Sequence, residues 1–192
     1  MKVVLFDFDG TLSSGDANRG FYRYTFWKTP RQILFLPWVL VGGVGRLLNP
    51  GGVWWRQVMR RYLTPGMVKK YAPGFIKQHK MNRFGWAKER VTEEKRLGNV
   101  AICISAGVDY LIPELVKDLG FDVVICSEAD KARPWGYKRL CWGRRKVDVL
   151  GEWSQGVKLD VVRAYSDSKS DLPMMKLAKE QVWINPKTGC RK

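Results

Sequence analysis

Asp7 and Asp9 stand two positions apart at the end of the apolar run Lys2–Phe6, and Gly10-Thr11 follows them. A strand period of two turns both carboxylates the same way just where the strand ends. Acids this close repel one another, and the repulsion is relieved by a metal ion or by a raised pKa. Asp-Gly alone is also an ordinary turn sequence, so the pair gains meaning from three further groups. Ser105-Ala106-Gly107 offers a hydroxyl and unencumbered backbone N–H groups to an anion. Gly143-Arg144-Arg145-Lys146-Val147 sets a lysine at the start of a predicted helix, and Ser166-Asp167-Ser168-Lys169-Ser170-Asp171 adds two carboxylates directly after another apolar run. In an open α/β sheet, ligands lie beyond the carboxyl ends of the strands, which is where all four groups fall.

The elements that must position them are legible from periodicity. Strands are predicted over Lys2–Phe6, Val100–Ile104, Phe121–Cys126, Val161–Ser166 and Val182–Ile184. Helices are predicted from Ala17, with Asp16 as N-cap, and from Thr64-Pro65, a cap followed by proline at the first helical position. Two more run from about Phe84 to Leu97 and from Tyr110 to Leu119, closed by Gly98 and Gly120. This alternation specifies an α/β fold, a doubly wound, Rossmann-like parallel sheet. A helical cap is inserted between strands 1 and 2, so residues 1–13 and 99–192 form the core and 14–98 the cap.

The charge belongs to that insertion. The chain of 192 residues carries a net charge of +16, and residues 14–98 hold 17 Lys/Arg against 4 Asp/Glu, whereas the remainder holds 17 against 14. Five of the nine tryptophans lie there too: Trp27, Trp38, Trp54, Trp55 and Trp86. A basic, aromatic region suits an anionic partner, lipid headgroups or nucleic acid. Residues 33–45 (ILFLPWVLVGGVG) form the most apolar stretch. As a helix it spans roughly 20 Å, short of a bilayer core of about 30 Å, so an interfacial or re-entrant segment is expected, with a buried lid helix as the alternative. Four cysteines without a CxxC pair and a single histidine exclude a disulfide scaffold and a Cys/His zinc site. Cys103 and Cys126 are expected to be buried free thiols. The start MKVVLFDFDG does not have the form of a secretory signal, and a reducing, cytoplasmic setting is expected.

In order and spacing, the four groups resemble the four motifs of the haloacid dehalogenase superfamily, and the cap position resembles its phosphoserine-phosphatase-like subfamily. Asp7-Phe8-Asp9-Gly10-Thr11-Leu12 matches the first motif residue for residue; Ser105, Lys146 and the pair Asp167 and Asp171 match the second, third and fourth. The resemblance implies Asp7 as nucleophile and Asp9 as general acid and base. It also implies Mg²⁺ held by Asp7, the Asp9 backbone carbonyl and Asp167, with Asp171 behind them, and phosphoryl oxygens held by Ser105, Ala106 and Lys146.

Beyond the motifs, the chain is similar to the phosphatidylglycerophosphatase C family. This likeness is carried by Asp16, Phe21-Tyr22-Arg23-Tyr24, Cys141-Trp142-Gly143 and Ala164-Tyr165-Ser166-Asp167-Ser168-Lys169. It implies a membrane lipid phosphate as substrate, specifically phosphatidylglycerophosphate, at the cytoplasmic face of the inner membrane. Leu36, Trp38, Trp54, Trp55, Arg56, Arg60 and Arg61 are then expected to meet an anionic phospholipid membrane. Neither nucleic acid nor an obligate protein partner is expected. The alternatives are a soluble phosphoserine-type phosphatase, a phosphatidic or lysophosphatidic acid phosphatase and, last, a nucleic-acid-binding module on an inactive scaffold.

Overall fold

The computed structural model describes residues 1–49, 52 and 54–192. Strand β1 (Lys2–Phe6) lies at the centre of a six-stranded sheet, with β2 (Val100–Val108), β3 (Val123–Ala129) and the edge strand β4 (Tyr137–Arg139) on one side. On its other side lie β5 (Asp160–Ser166) and β6 (Glu180–Trp183). All pairings are parallel except β3 with β4. The strands are rich in Val and Ile because both faces of the sheet are covered. Val4 and Phe6 face one core layer with Cys103, Leu115 and Val91, while Val3 and Leu5 face the other with Ile104, Val149, Leu150 and Met174. Cys103 is a buried free thiol as expected, and Cys126 is free but only half-buried.

The core helices are α6 (Ile112–Val116), α7 (Arg145–Ser154) and α8 (Leu172–Met175). Two expectations are corrected here. The helix expected over Tyr110–Leu119 is confined to α6 and a following 3₁₀ turn, Lys117–Leu119. Strand β2 does not stop at Ile104 but runs on through Ser105-Ala106-Gly107, with a register break between Ser105 and Val108. Ser105 still pairs with Cys126, and the bulge leaves Ala106 and Gly107 unpaired before Val108 rejoins the ladder at Ser127.

The cap consists of α1 (Ala17–Lys28), α2 (Leu36–Leu48), α3 (Trp54–Met59), α4 (Pro65–His79) and α5 (Trp86–Arg96), the last returning to the core. Asp16 caps α1 by accepting the Arg19 N–H at 2.7 Å, and Thr64 caps α4 by accepting the Met67 N–H at 3.3 Å. The cap leaves and re-enters the core through one paired neck: the Ser14 N–H donates to the Asn82 carbonyl (2.9 Å) and the Phe84 N–H to the Leu12 carbonyl (3.0 Å).

The apolar stretch forms a longer helix than its 13 residues suggest. A 3₁₀ segment, Pro30–Phe35, runs directly into α2, giving 19 helical residues, Pro30–Leu48, long and apolar enough to cross a membrane by length and composition. It is not a buried lid helix. Ile33 and Leu34 are more than two-thirds exposed, and Leu40, Val44, Leu47 and Leu48 also face outward. Its inner side closes on α3 through Gly42 and Gly45: a Cβ at Gly42 would meet Met59 at 2.0 Å, and one at Gly45 would meet Trp54 at 2.6 Å.

Candidate active site

The tight turn after β1 builds the site. The Gly10 N–H donates to the Ser13 carbonyl at 2.8 Å, and Thr11, Leu12 and Ser13 direct their N–H groups at the Phe8 carbonyl. Gly10 adopts φ +76°, and a Cβ there would meet the Asp167 Oδ2 at 2.4 Å. Only glycine lets the Asp167 carboxylate approach the Asp7–Asp9 loop this closely.

Lys146, at the start of α7, is buried, and its ammonium donates to the Asp7 Oδ1 at 2.6 Å and the Asp171 Oδ2 at 2.8 Å. The Ser166 hydroxyl donates to the same Asp171 oxygen at 2.8 Å. Thr11 ties the two acidic loops together: its hydroxyl donates to the Asp7 Oδ2 (3.2 Å) and accepts the Asp167 N–H (3.0 Å). Asp9 accepts the Ala17 N–H at 2.7 Å, which couples it to the first turn of α1. The structure thus brings together Asp7, Asp9, Lys146, Asp167 and Asp171. Together with Ala106 they line a cavity of about 910 Å³ that extends along α1 into the cap.

Ser105 is placed differently. It is fully buried, its Oγ accepts the Gly107 N–H at 3.0 Å, and Ala106 rather than Ser105 faces the cavity. Asn18 of α1 braces this bulge, donating to the Ala106 carbonyl and accepting the Val108 N–H. Thr11, Asn18 and Ser166 were not singled out from the sequence. Thr11 alone had a signal, as the hydroxyl closing the turn that holds both aspartates.

The electrostatics follow from four carboxylates facing one lysine. Burial raises Asp7 to about 6 from the ordinary 3.8 against the pull of Lys146, with Asp171 and Asp167 adding to the rise. Burial and then Asp16 hold Asp9 well above the ordinary carboxylate range, and burial also raises Asp167. Burial opposes the charge on Lys146, yet Asp7 and Asp171 together hold the ammonium above the usual lysine range. One oxygen, the Asp171 Oδ1, is buried without any hydrogen-bond partner.

This donor set fits a hard divalent cation: oxygen ligands only, an excess of negative charge and an orphaned buried carboxylate oxygen. Among the described residues there is no preformed cluster of three metal-ligating side chains. Magnesium, which keeps several waters and takes one or two carboxylates, does not require one. A consequence can be measured. Burial raises both Asp7 and Asp9 above their unfolded pKa values, so both favour the fold at low pH, and the contribution of Asp7 is lost as the pH rises through about 6. A cation that neutralises them is therefore expected to raise the thermal midpoint more at about pH 7 than at about pH 4.5. Equal magnesium-induced shifts at the two pH values would remove these carboxylates as its site.

Of the residues expected at a membrane, Leu36, Trp38 and Trp54 are exposed by 42 to 47%. Two expectations are corrected. Trp55 is buried, held on the inner side of α2 with the Arg46 and Arg56 guanidiniums over its ring. Arg60 is also buried: its guanidinium lies 3.8 Å from the Tyr22 ring centroid and donates to the Tyr137 hydroxyl at 3.3 Å, joining cap to core. Arg61 lies over the rings of Trp38 and Trp135, and Arg56 lines the cavity.

A family model described as haloacid dehalogenase-like hydrolase matches residues 4–176. A probable phosphatase of Mycobacterium tuberculosis (strain ATCC 25618 / H37Rv) is 26% identical over 114 residues, which is 57% of this chain and 40% of that one. The chain thus spans under half the length of that curated relative. Among solved structures, a protein of unknown function from Bordetella pertussis Tohama I superposes with a TM-score of 0.72 at 16% identity, covering 96% of this chain and 90% of the other. A phospho-aspartyl intermediate analogue of phosphoserine phosphatase superposes at 0.65 and 21% identity, covering 96% and 86%. A phosphoserine phosphohydrolase-like protein from Francisella tularensis does so at 0.65 and 17%, covering 96% and 87%. These likenesses share the fold and, with the motif loops now joined around Lys146, the chain belongs to the haloacid dehalogenase-like hydrolases.

Proposed function

We propose that the chain is a Mg²⁺-dependent phosphomonoesterase whose substrate is a membrane lipid phosphate, foremost phosphatidylglycerophosphate, processed at the cytoplasmic face of the membrane. The observation that carries the phosphatase reading is the buried Asp7–Lys146–Asp171 cluster, flanked by Asp9 and Asp167 at the inner end of the cavity. Asp7 attacks phosphorus, forming an aspartyl-phosphate as the bond to the leaving oxygen breaks. Asp9, whose carboxyl burial holds above the ordinary range, gives its proton to the departing alkoxide. It then takes a proton from the water that attacks the aspartyl-phosphate, releasing inorganic phosphate and restoring Asp7. Lys146 lies where the phosphoryl oxygens gather charge. Ser105, buried behind Ala106, steadies this loop by accepting the Gly107 N–H, and Ala106 presents the loop to the cavity. Asp7, the Asp9 carbonyl and Asp167 would hold magnesium, which supplies positive charge against the phosphoryl group.

The lipid reading rests on the exposed apolar helix Pro30–Leu48. Trp27 (78% exposed) and Trp54 flank it, as suits the headgroup layer. Arg46 of this helix and Arg56 of α3, both over the Trp55 ring, favour a helix lying in the interface rather than one crossing the bilayer. Cosedimentation with anionic liposomes is expected, and Leu36→Asp together with Leu40→Asp should reduce the bound fraction about tenfold or more, since each acid costs on the order of 2.5 kcal/mol or more in an apolar phase. Wild-type protein that stays in the supernatant at low salt would remove the membrane role.

Likeness to phosphoserine phosphatases supports a second reading, a soluble phosphoserine-type substrate. Phosphate release from phosphatidylglycerophosphate, phosphatidic acid and phosphoserine, each with and without Mg²⁺, separates the two. Preference for phosphoserine would overturn the lipid reading, and magnesium-independent hydrolysis would overturn the mechanism.

A further inference from the structure

The cavity extends well beyond what the reacting phosphate needs. Its volume of about 910 Å³ falls near the upper end of the range of roughly 300–1,000 Å³ for small-molecule sites. Its wall follows one face of α1, with Asp16, Arg19, Arg23 and Trp27 recurring at three- and four-residue spacing over roughly 16 Å. Arg56 of α3 faces the same space. Asp16 is the last carboxylate on this wall; beyond it the charged lining residues of α1 and α3 are Arg19, Arg23, Lys28 and Arg56.

These cations are not equally engaged. Arg56 lies 5.1 Å from the Trp55 ring centroid and Lys28 lies 4.7 Å from that of Tyr24. Arg19 and Arg23 have no side-chain hydrogen bond, ion pair or aromatic partner among the described residues. They are placed at an electrostatic disadvantage: like charges four residues apart on one helix face repel. Arg19 also occupies the first turn, where the helix dipole disfavours a cation, and the N-cap Asp16 carboxylate accepts its backbone N–H, not its guanidinium. An anion between them relieves both costs, and two guanidinium forks match the oxygens of a phosphate group.

We infer that Arg19 and Arg23 bind a second anionic group of the substrate, a phosphodiester linked through a short polyol to the phosphomonoester that reacts at Asp7. The inference rests on the phosphatase reading and narrows its substrate class to esters bearing two phosphates. Asp7 to Asp16 then hold the reacting end, and the α1 arginines the diester. Any acyl chains beyond it would leave the cavity past Trp27, toward the exposed apolar helix.

The test uses three esters: dioctanoyl phosphatidylglycerophosphate in neutral detergent micelles, its deacylated water-soluble counterpart, and glycerol 3-phosphate, which lacks the diester. Hydrogen bonds to charged groups contribute about 1.5–3 kcal/mol, so Arg19→Gln with Arg23→Gln should lower kcat/KM about 10–100-fold more for both diester-bearing esters than for glycerol 3-phosphate. The loss should fall mainly in KM, and Arg19→Lys with Arg23→Lys should recover part of it. An equal loss on all three esters, or none, overturns the subsite while leaving the phosphatase reading in place. A loss confined to the micellar ester assigns the arginines to the lipid surface and overturns it as well. Wild-type protein that releases phosphate from none of the three overturns both readings.

Discussion

Replacing Asp7 by Asn is expected to abolish phosphate release, by about 10⁴-fold or more, because the change removes the nucleophile rather than a group that assists it. The fold should survive. The asparagine amide retains the shape that accepts from Thr11, and Lys146 keeps Asp171 as its counter-ion at 2.8 Å. Burial makes the Asp7 carboxylate costly to ionise, so the thermal midpoint of the metal-free variant should equal or exceed that of wild type at neutral pH. Wild-type turnover in this variant would remove Asp7 as the attacking group. Loss of turnover together with a large drop in midpoint would mean that Asp7 is chiefly structural.

The second large effect is expected at Lys146. Lys146→Met leaves a side chain of similar length without the charge, and two carboxylates that shared one ammonium then face each other in a buried site. Removing one partner of a buried ion pair costs about 3–5 kcal/mol. Here the cost should depend on pH. The raised pKa of Asp7 rises further once the lysine that lowers it is gone, so protonation relieves the repulsion at low pH and the destabilisation grows as the pH rises past about 6. Urea denaturation at about pH 5 and pH 8 checks the sign. A loss of the same size at both would mean that packing, not charge, is what Lys146 contributes. Activity should fall with it, since the same ammonium faces the phosphoryl group.

The parts of this site that were legible from sequence are those whose chemistry is written into single residues. Asp7, Asp9, Lys146, Asp167 and Asp171 each follow a strand or open a helix, and parallel pairing of β5 with β1 brings their loops to one edge of the sheet. The glycines at 98 and 120 and the cap at Asp16 placed the helix ends because each meets a local backbone need. What escaped depends on tertiary packing. Nothing local marks Asn18 as the brace of the β2 bulge, since its partners at Ala106 and Val108 are remote in sequence. Nor does composition reveal that Ser105 stays inside the ladder, which a bulge permits and a strand-end reading does not. Trp55 and Arg60 were expected at the surface as an aromatic and a cation in a basic segment. Glycines 42 and 45 let α3 draw close enough to bury the first, and the Tyr22 ring receives the second.

The paired neck between cap and core bears on how the chain reaches this structure at all. Phe6 must find Cys103 to start the central parallel pairing, across the whole of the cap. Once Ser14 and Asn82 have met, the chain between those two strands behaves as a loop roughly three to four times shorter, which lowers the entropy of closure by about 1 kcal/mol. A cap that folds first therefore speeds the core, and cap variants that leave the native state unchanged should still slow its formation.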